Sequence, residues 1–363
     1  MIGAALWKPG SGRLRVLLTG HLGYLGTRLA PMLRAAGIEV VGLDNGLFRD
    51  CAIGPLEAIP AIEMDIRDVD ADDLSSFDAV VHLAGVSSES LGHIHPAITF
   101  EVNFEATVRL AELAKQTGTA RFLFASSTDI YGPGSSGRGE GAGTAAESPY
   151  AVSKALAEEE LARLAGDSFS PVFLRSAQPY GVSAMFRFEP VLNNLVAQAA
   201  IDHRILIDGG SARRLDLIHV EDVARAYLAV LEAPRKAIHR QAFNIGVTGE
   251  CYTVEELAGF VRETVPGAAI EACAEGNRRG GDGLARFDKI RRMLPDYRPR
   301  WTARRGAVEI FEAVDRLALR RADIDGARFN RVNHLKMLAR LGRLDEELRL
   351  TTPGRMSAVS QAG

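Results

Sequence analysis

Cysteine is scarce: three residues in 363, at positions 51, 251 and 273. Their odd number and wide spacing leave no disulfide framework and no Cys-x-x-Cys metal knuckle, which fits a reducing, cytoplasmic setting. No apolar run reaches the roughly 20 residues that a membrane-crossing helix needs. Neither sign of charge dominates, since 43 Lys and Arg stand against 46 Asp and Glu for a net charge of −3. That balance gives no reason to expect nucleic acid or an acidic polymer as a partner. Arginine clusters near 204–214, 278–279 and 291–305 are local, and the last reads as solvated surface. His93 and His95 lack a third ligand at helical spacing, so no metal is expected. Met1–Gly12 is short, Gly-rich and without a signal-peptide core, and reads as a flexible leader.

What is present is alternation. Apolar runs at Leu14–Leu18, Glu39–Asp44, Ile62–Met64, Ala79–Leu83, Arg121–Ala125 and Val172–Arg175 read as strands. Helical patterns intervene: one from Tyr24 to Gly37 with Pro31 inside it, one over Thr99–Gln116 and one over Tyr150–Leu164. Strand and helix in turn predict an α/β fold with a parallel, doubly wound sheet of Rossmann type. Arg214–Tyr227 and Gln241–Thr253 read as later returns to that sheet. The expected organisation is a nucleotide-binding domain over 13–180 and a smaller mixed lobe over 181–330. A C-terminal helical segment and tail follow over 331–363, frayed beyond Thr351. Gly132–Gly143 is too rich in Gly and Ser for regular structure and reads as a loop able to cover a ligand.

Three motifs carry chemistry. Thr19-Gly20-His21-Leu22-Gly23-Tyr24-Leu25-Gly26 follows the first strand and opens a helix. Glycines in that context give a tight turn, close backbone approach to a pyrophosphate and close helix–sheet packing, while the helix N-terminus offers N–H groups to phosphate. Asp44 ends the second strand 18 residues past Gly26. A carboxylate there accepts from both ribose hydroxyls and repels a 2′-phosphate, which argues for NAD over NADP. The alternative is a turn cap over Asn45-Gly46. Finally, Ser126-Ser127 ends the fifth strand, and Tyr150-Ala151-Val152-Ser153-Lys154 puts a phenol and an ammonium one helical turn apart. A nearby ammonium favours the phenolate, whose ordinary pKa of about 10 is too high for a base at neutral pH.

Together these residues resemble the extended short-chain dehydrogenase/reductase family, in its NAD-dependent nucleotide-sugar epimerase/dehydratase branch, from about Leu14 to about Trp301. By that resemblance Asp65 and Ile66 flank the adenine, Leu83, Ala84 and Gly85 run under the nicotinamide side, and Asn45, Asn103 and Ser126 join the cofactor residues. The substrate side is expected to include Ser87, Ser88, Gln178, Asn194, Arg214 and Arg279, the last in an Arg-Gly-Gly-Asp element suited to a diphosphate. Arg214 is taken in place of the family's usual arginine, since Leu215 occupies that position, and Gln178 stands where asparagine is usual.

The resemblance implies that Tyr150 takes a proton from a sugar hydroxyl, with Lys154 supporting it and Ser127 bonding the same hydroxyl; Thr128 is the runner-up to Ser127. Epimerisation of a nucleoside-diphosphate sugar, at C4, is the first expectation. Dehydration needs a second carboxylate, and here Thr128-Asp129 supplies one. A uronic acid decarboxylase needs only that one, so it stays open, as do a 4-ketoreductase and a noncatalytic NAD-sensing module. A homodimer through Thr99–Gln116 and Tyr150–Leu164 is also implied.

Overall fold

The computed structural model describes residues 13–87, 89–133, 137–208, 214–273 and 285–351. The leader over 1–12, the tail past Thr351, Ser88 and Arg279 lie outside these. Six strands follow the alternation: β1 (Arg15–Thr19), β2 (Glu39–Asp44), β3 (Ala61–Glu63), β4 (Ala79–His82), β5 (Arg121–Ser127) and β6 (Ser170–Ser176). Next come β7 (Gln178–Tyr180), β8 (Arg204–Asp208) and β9 (Leu215–His219), which pair elsewhere. A seventh strand, β10 (Ala242–Ile245), completes a parallel sheet in the order β10-β6-β5-β4-β1-β2-β3. Val16 lies between Val40 and Ala79 in register. These strands read as unbroken Val/Leu runs because both faces are covered.

Helix α1 (Gly26–Ala35) covers one face through Leu29 and Leu33, beside Ala224 and Tyr227 of the helix Val220–Glu232. On the other face, helices Ala106–Gln116 and Pro149–Leu164 bring Leu110, Ala157 and Leu161 against Leu17 and Phe122. This is a Rossmann-type fold, and its strand order reverses between β1 and β4, where open α/β sheets bind ligands. A smaller mixed lobe has its own core of Leu192, Val196, Leu257 and Ile310. Around that core lie a three-stranded sheet, β11 (Cys251–Tyr252) with β9 and β7, and a pair of β12 (Ala269–Cys273) with β8.

Three expectations are adjusted. The strand at 215–219 does not return to the large sheet; it pairs with β7 and β11, because Ala242–Ile245 fills the place beside β6. A buried apolar strand carries no mark of which sheet it joins. The span 99–116 is not one helix: a π-helical turn, Glu101–Glu105, interrupts it and turns Asn103 fully inward, as π-turns often do near functional sites. Helix α1 begins at Gly26, not Tyr24, leaving 22–25 as turn.

Past the lobe, the helix Arg331–Arg340 folds back on the large domain. Leu335, Leu338 and Leu344 pack there with Leu91, Leu47 and Phe48.

Candidate active site

A cavity of about 360 Å³ opens at the carboxyl ends of the strands of the large sheet. The glycine turn forms its floor. Gly20 has φ of +71°, and a Cβ there would meet Ala84 N at 2.7 Å; one on Gly26 would meet the Gly20 carbonyl oxygen at 2.3 Å. The turn therefore packs backbone on backbone, which only glycine allows. Leu22, Gly23, Tyr24, Leu25, Asp44, Asn45, Asp65, Ile66, Leu83, Ala84, Gly85 and Ser126 share the wall.

Asp44 caps the turn, its carboxylate accepting from Leu22 N (3.1 Å) and Gly46 N (2.9 Å), and it also lies on the cavity wall. Asp65 lines the wall but is held by Arg67, at 2.9 Å on each carboxylate oxygen. Burial would raise its pKa, yet the Arg67 bonds outweigh burial and keep it below the ordinary range. Ser126 Oγ is buried on this wall with no partner among the described residues. A dinucleotide fits these features: a glycine turn, a carboxylate and an unmet hydroxyl on one wall.

At the far end stand Ser127, Asp129, Tyr150 and Lys154, all on the cavity wall. Their placement is local. Ser148 caps its helix by accepting from Ala151 N, and Pro149 opens the helix, so Tyr150 sits in its first turn. Ser127 ends β5 and its Oγ donates to Asp129 Oδ2 (2.9 Å) and accepts from Asp129 N (3.1 Å). Lys154 is 4% exposed, with Nζ 4.7 Å from the Phe124 ring centre and 5.9 Å from that of Tyr150. Among the described residues that ammonium meets ring faces and no hydrogen-bond acceptor.

Burial pushes Lys154 down from 10.5 to about 8, against the pull of Glu158, which favours the charged form. Between those pH values the unfolded chain binds a proton that the folded chain does not. The cofactor-free fold therefore gains stability as pH rises through that window. Lys154→Met is expected to flatten this slope and to stabilise the cofactor-free protein below the window by up to about 3 kcal/mol. Melting temperatures of both proteins across the window check it; parallel curves would count against a buried ammonium.

Five expected residues lie off the cavity wall. His21 instead lays its ring where a Gly42 side chain would be, 2.5 Å from the ideal Cβ. Asn103 uses its amide on Val86 N (2.8 Å) and Val86 O (3.0 Å), so it shapes the loop after β4 rather than lining the site. Asn194 turns to Gln198; its neighbour Asn193 is the buried one, bonding Gly181 N and the Arg187 carbonyl. Arg214 is tied to the Cys251 carbonyl (2.6 Å) and Glu256 (3.2 Å). Thr128 also points away, its hydroxyl directed at the Ser176 carbonyl (3.4 Å). Ser87 and Gln178 do line the cavity. So do Phe48, Arg187, Tyr227, Arg331, Leu335 and Leu348, which motif reading missed.

Residues 16–246 match the NAD dependent epimerase/dehydratase family. The chain belongs to that family. Its members are NAD-dependent enzymes, in keeping with the cradle and carboxylate of this cavity. Among curated relatives, UDP-glucose 4-epimerase 4 of Oryza sativa subsp. japonica is 30% identical over 329 residues, covering 81% of this chain and 87% of that protein. UDP-glucuronic acid decarboxylase 1 of Arabidopsis thaliana is 30% identical over 271 residues, 72% of this chain and 61% of that protein. The solved structure of MoeE5 in complex with UDP-glucuronic acid and NAD superimposes with a TM-score of 0.71 at 26% identity, over 84% of this chain and 100% of that one. Among the described residues no helix is long and apolar enough to cross a membrane.

Proposed function

We propose that this family member is an NAD-dependent nucleotide-sugar epimerase acting at C4 of the sugar. The observation that carries the reading is the meeting of Ser127, Tyr150 and Lys154 with Asp44 and the glycine turn on one cavity. NAD, when bound, supplies a hydride acceptor that can give the hydride back. Gly20, Leu22, Gly23, Asp44, Asn45, Asp65, Ile66, Leu83, Ala84, Gly85 and Ser126, which share the cavity wall, are assigned to hold it.

Tyr150 Oη is the base for the sugar hydroxyl's proton and returns it after the sugar has presented its other face. Lys154, short of acceptors in the protein, holds a ribose oxygen and keeps the phenolate favourable. Ser127 bonds the reacting oxygen, and Asp129 fixes the rotamer of Ser127. Ser87 and Gln178 face the sugar side. The position of Asp129 on the wall also favours a second reading, decarboxylation of a uronic acid sugar, with Asp129 as the acid. A homodimer through the helices Ala106–Gln116 and Pro149–Leu164 is proposed with it; Leu156, 37% exposed on the latter, is an apolar side chain such a face would cover.

The test is incubation with UDP-, dTDP-, GDP- and CDP-sugars, including UDP-glucuronic acid, with and without added cofactor. Interconversion of 4-epimers without net cofactor change supports epimerisation. Carbon dioxide from the uronic acid supports decarboxylation. Stoichiometric loss of reduced cofactor, or binding of NAD with every sugar unchanged, contradicts both.

A further inference from the structure

Arg331, Leu335 and Leu348 lie beyond the residues that match the family, 16–246, yet they form part of the wall of the same cavity. The segment that carries them is tied to the loops after β2 and β3. His334 bonds the Leu47 carbonyl through Nε2 (2.9 Å) and Cys51 Sγ through Nδ1 (3.3 Å). Arg67 donates to the Glu347 carbonyl (2.9 Å), and Arg349 pairs with Asp68 (2.6 Å). Those loops also present Asn45 and Ile66 to the cavity. The segment therefore closes the end where a dinucleotide would place its adenosine.

Arg331 is the reactive part of this closure. Its guanidinium sits over the Phe48 ring, 4.2 Å from the centroid. Among the described residues it has no ion pair and its side chain no hydrogen-bond acceptor. The second guanidinium on this wall, Arg187, is committed to Glu189 (3.0 Å) and Ser87 (3.2 Å). Burial, and then Arg187 close by, push Arg331 down to about 9. The carboxylates of Glu189 and Asp44 draw it the other way, yet among the described residues neither bonds the guanidinium, which stands half-buried on the cavity wall. Its planar fork matches phosphate oxygens. The glycine turn on the same cavity is a phosphate cradle, so an anion has a place to lie.

We propose that Arg331 binds a phosphate oxygen of the dinucleotide in this cavity, and that residues 331–350 are a strap holding its adenosine-diphosphate half. The proposal rests on the NAD reading above. Its test uses the full chain freed of cofactor, with NAD, ADP-ribose, adenosine and UDP titrated calorimetrically into wild type, Arg331→Gln and Arg331→Lys.

Arg331→Gln is expected to weaken NAD and ADP-ribose by about 10- to 100-fold, as loss of a charge-assisted bond does. Adenosine and UDP should stay within about twofold on the same scale, and Arg331→Lys should recover part of the loss. Unchanged NAD affinity in an Arg331→Gln protein that melts like wild type would overturn the proposal. So would an equal loss for adenosine, which marks a packing effect, or a loss confined to UDP, which marks the other diphosphate. If wild type itself fails to bind NAD, the cofactor reading falls and the strap with it.

Discussion

Tyr150→Phe is expected to lower turnover by about 10²- to 10⁴-fold, the range for removing a general base. The substitution deletes one oxygen on the cavity wall and leaves the ring beside Lys154 in place. NAD affinity and melting temperature should therefore change little. The loss should fall equally on kcat and kcat/KM, because the phenol is needed in the transition state and little for binding. Ser127→Ala should cost less, since it removes an orienting bond and not the base. If Tyr150→Phe bound NAD normally and turned over at the wild-type rate, the assignment of the base would be wrong.

The second large effect concerns stability. Glu158 and Arg175 form a buried ion pair at 2.6 Å, with side chains only 8% and 9% exposed. Arg175 also donates to Tyr131 Oη (2.8 Å), which itself donates to Asn244 Oδ1 (2.8 Å). The pair thus locks the helix Pro149–Leu164 to β6, and the network carries on to β10. Glu158→Ala leaves the guanidinium buried without its acid, and is expected to destabilise the fold by about 3–5 kcal/mol. Replacing both partners by apolar residues, Glu158→Leu with Arg175→Met, should recover much of that loss. Urea denaturation of the three proteins is the check. A single variant within about 1 kcal/mol of wild type would mean that water reaches the pair.

The large sheet could be read from the chain because its strands are buried on both faces. Runs such as Val16-Leu17-Leu18 and Ala79-Val80-Val81 leave no other use for so much apolar surface. The glycine turn, Asp44 and the Tyr150/Lys154 pair were legible for a different reason: each depends on local spacing along one strand–turn–helix. Residues whose placement depends on distant chain were harder. Asn193 and Asn194 are adjacent, and only packing against Gly181 decides which one turns inward. Leu215–His219 looks like any buried strand, so its pairing with β7 carried no local sign. Arg331 stands in a helix whose distance along the chain from the glycine turn hid its place on the cavity wall. Arg67 beside Asp65 shows a related limit: the motif was visible, but its carboxylate is already held within the protein.

The central claim is that one carbon of the sugar loses a hydride and regains it from within the same closed site. A nucleotide sugar deuterated at C4 tests this most directly, with protein carrying only the NAD it retains and with products followed by NMR and mass spectrometry. The predicted result is a 4-epimer that keeps its deuterium at C4, with no net appearance of reduced cofactor. Deuterium released to water, or product formed only as reduced cofactor is consumed, would contradict it.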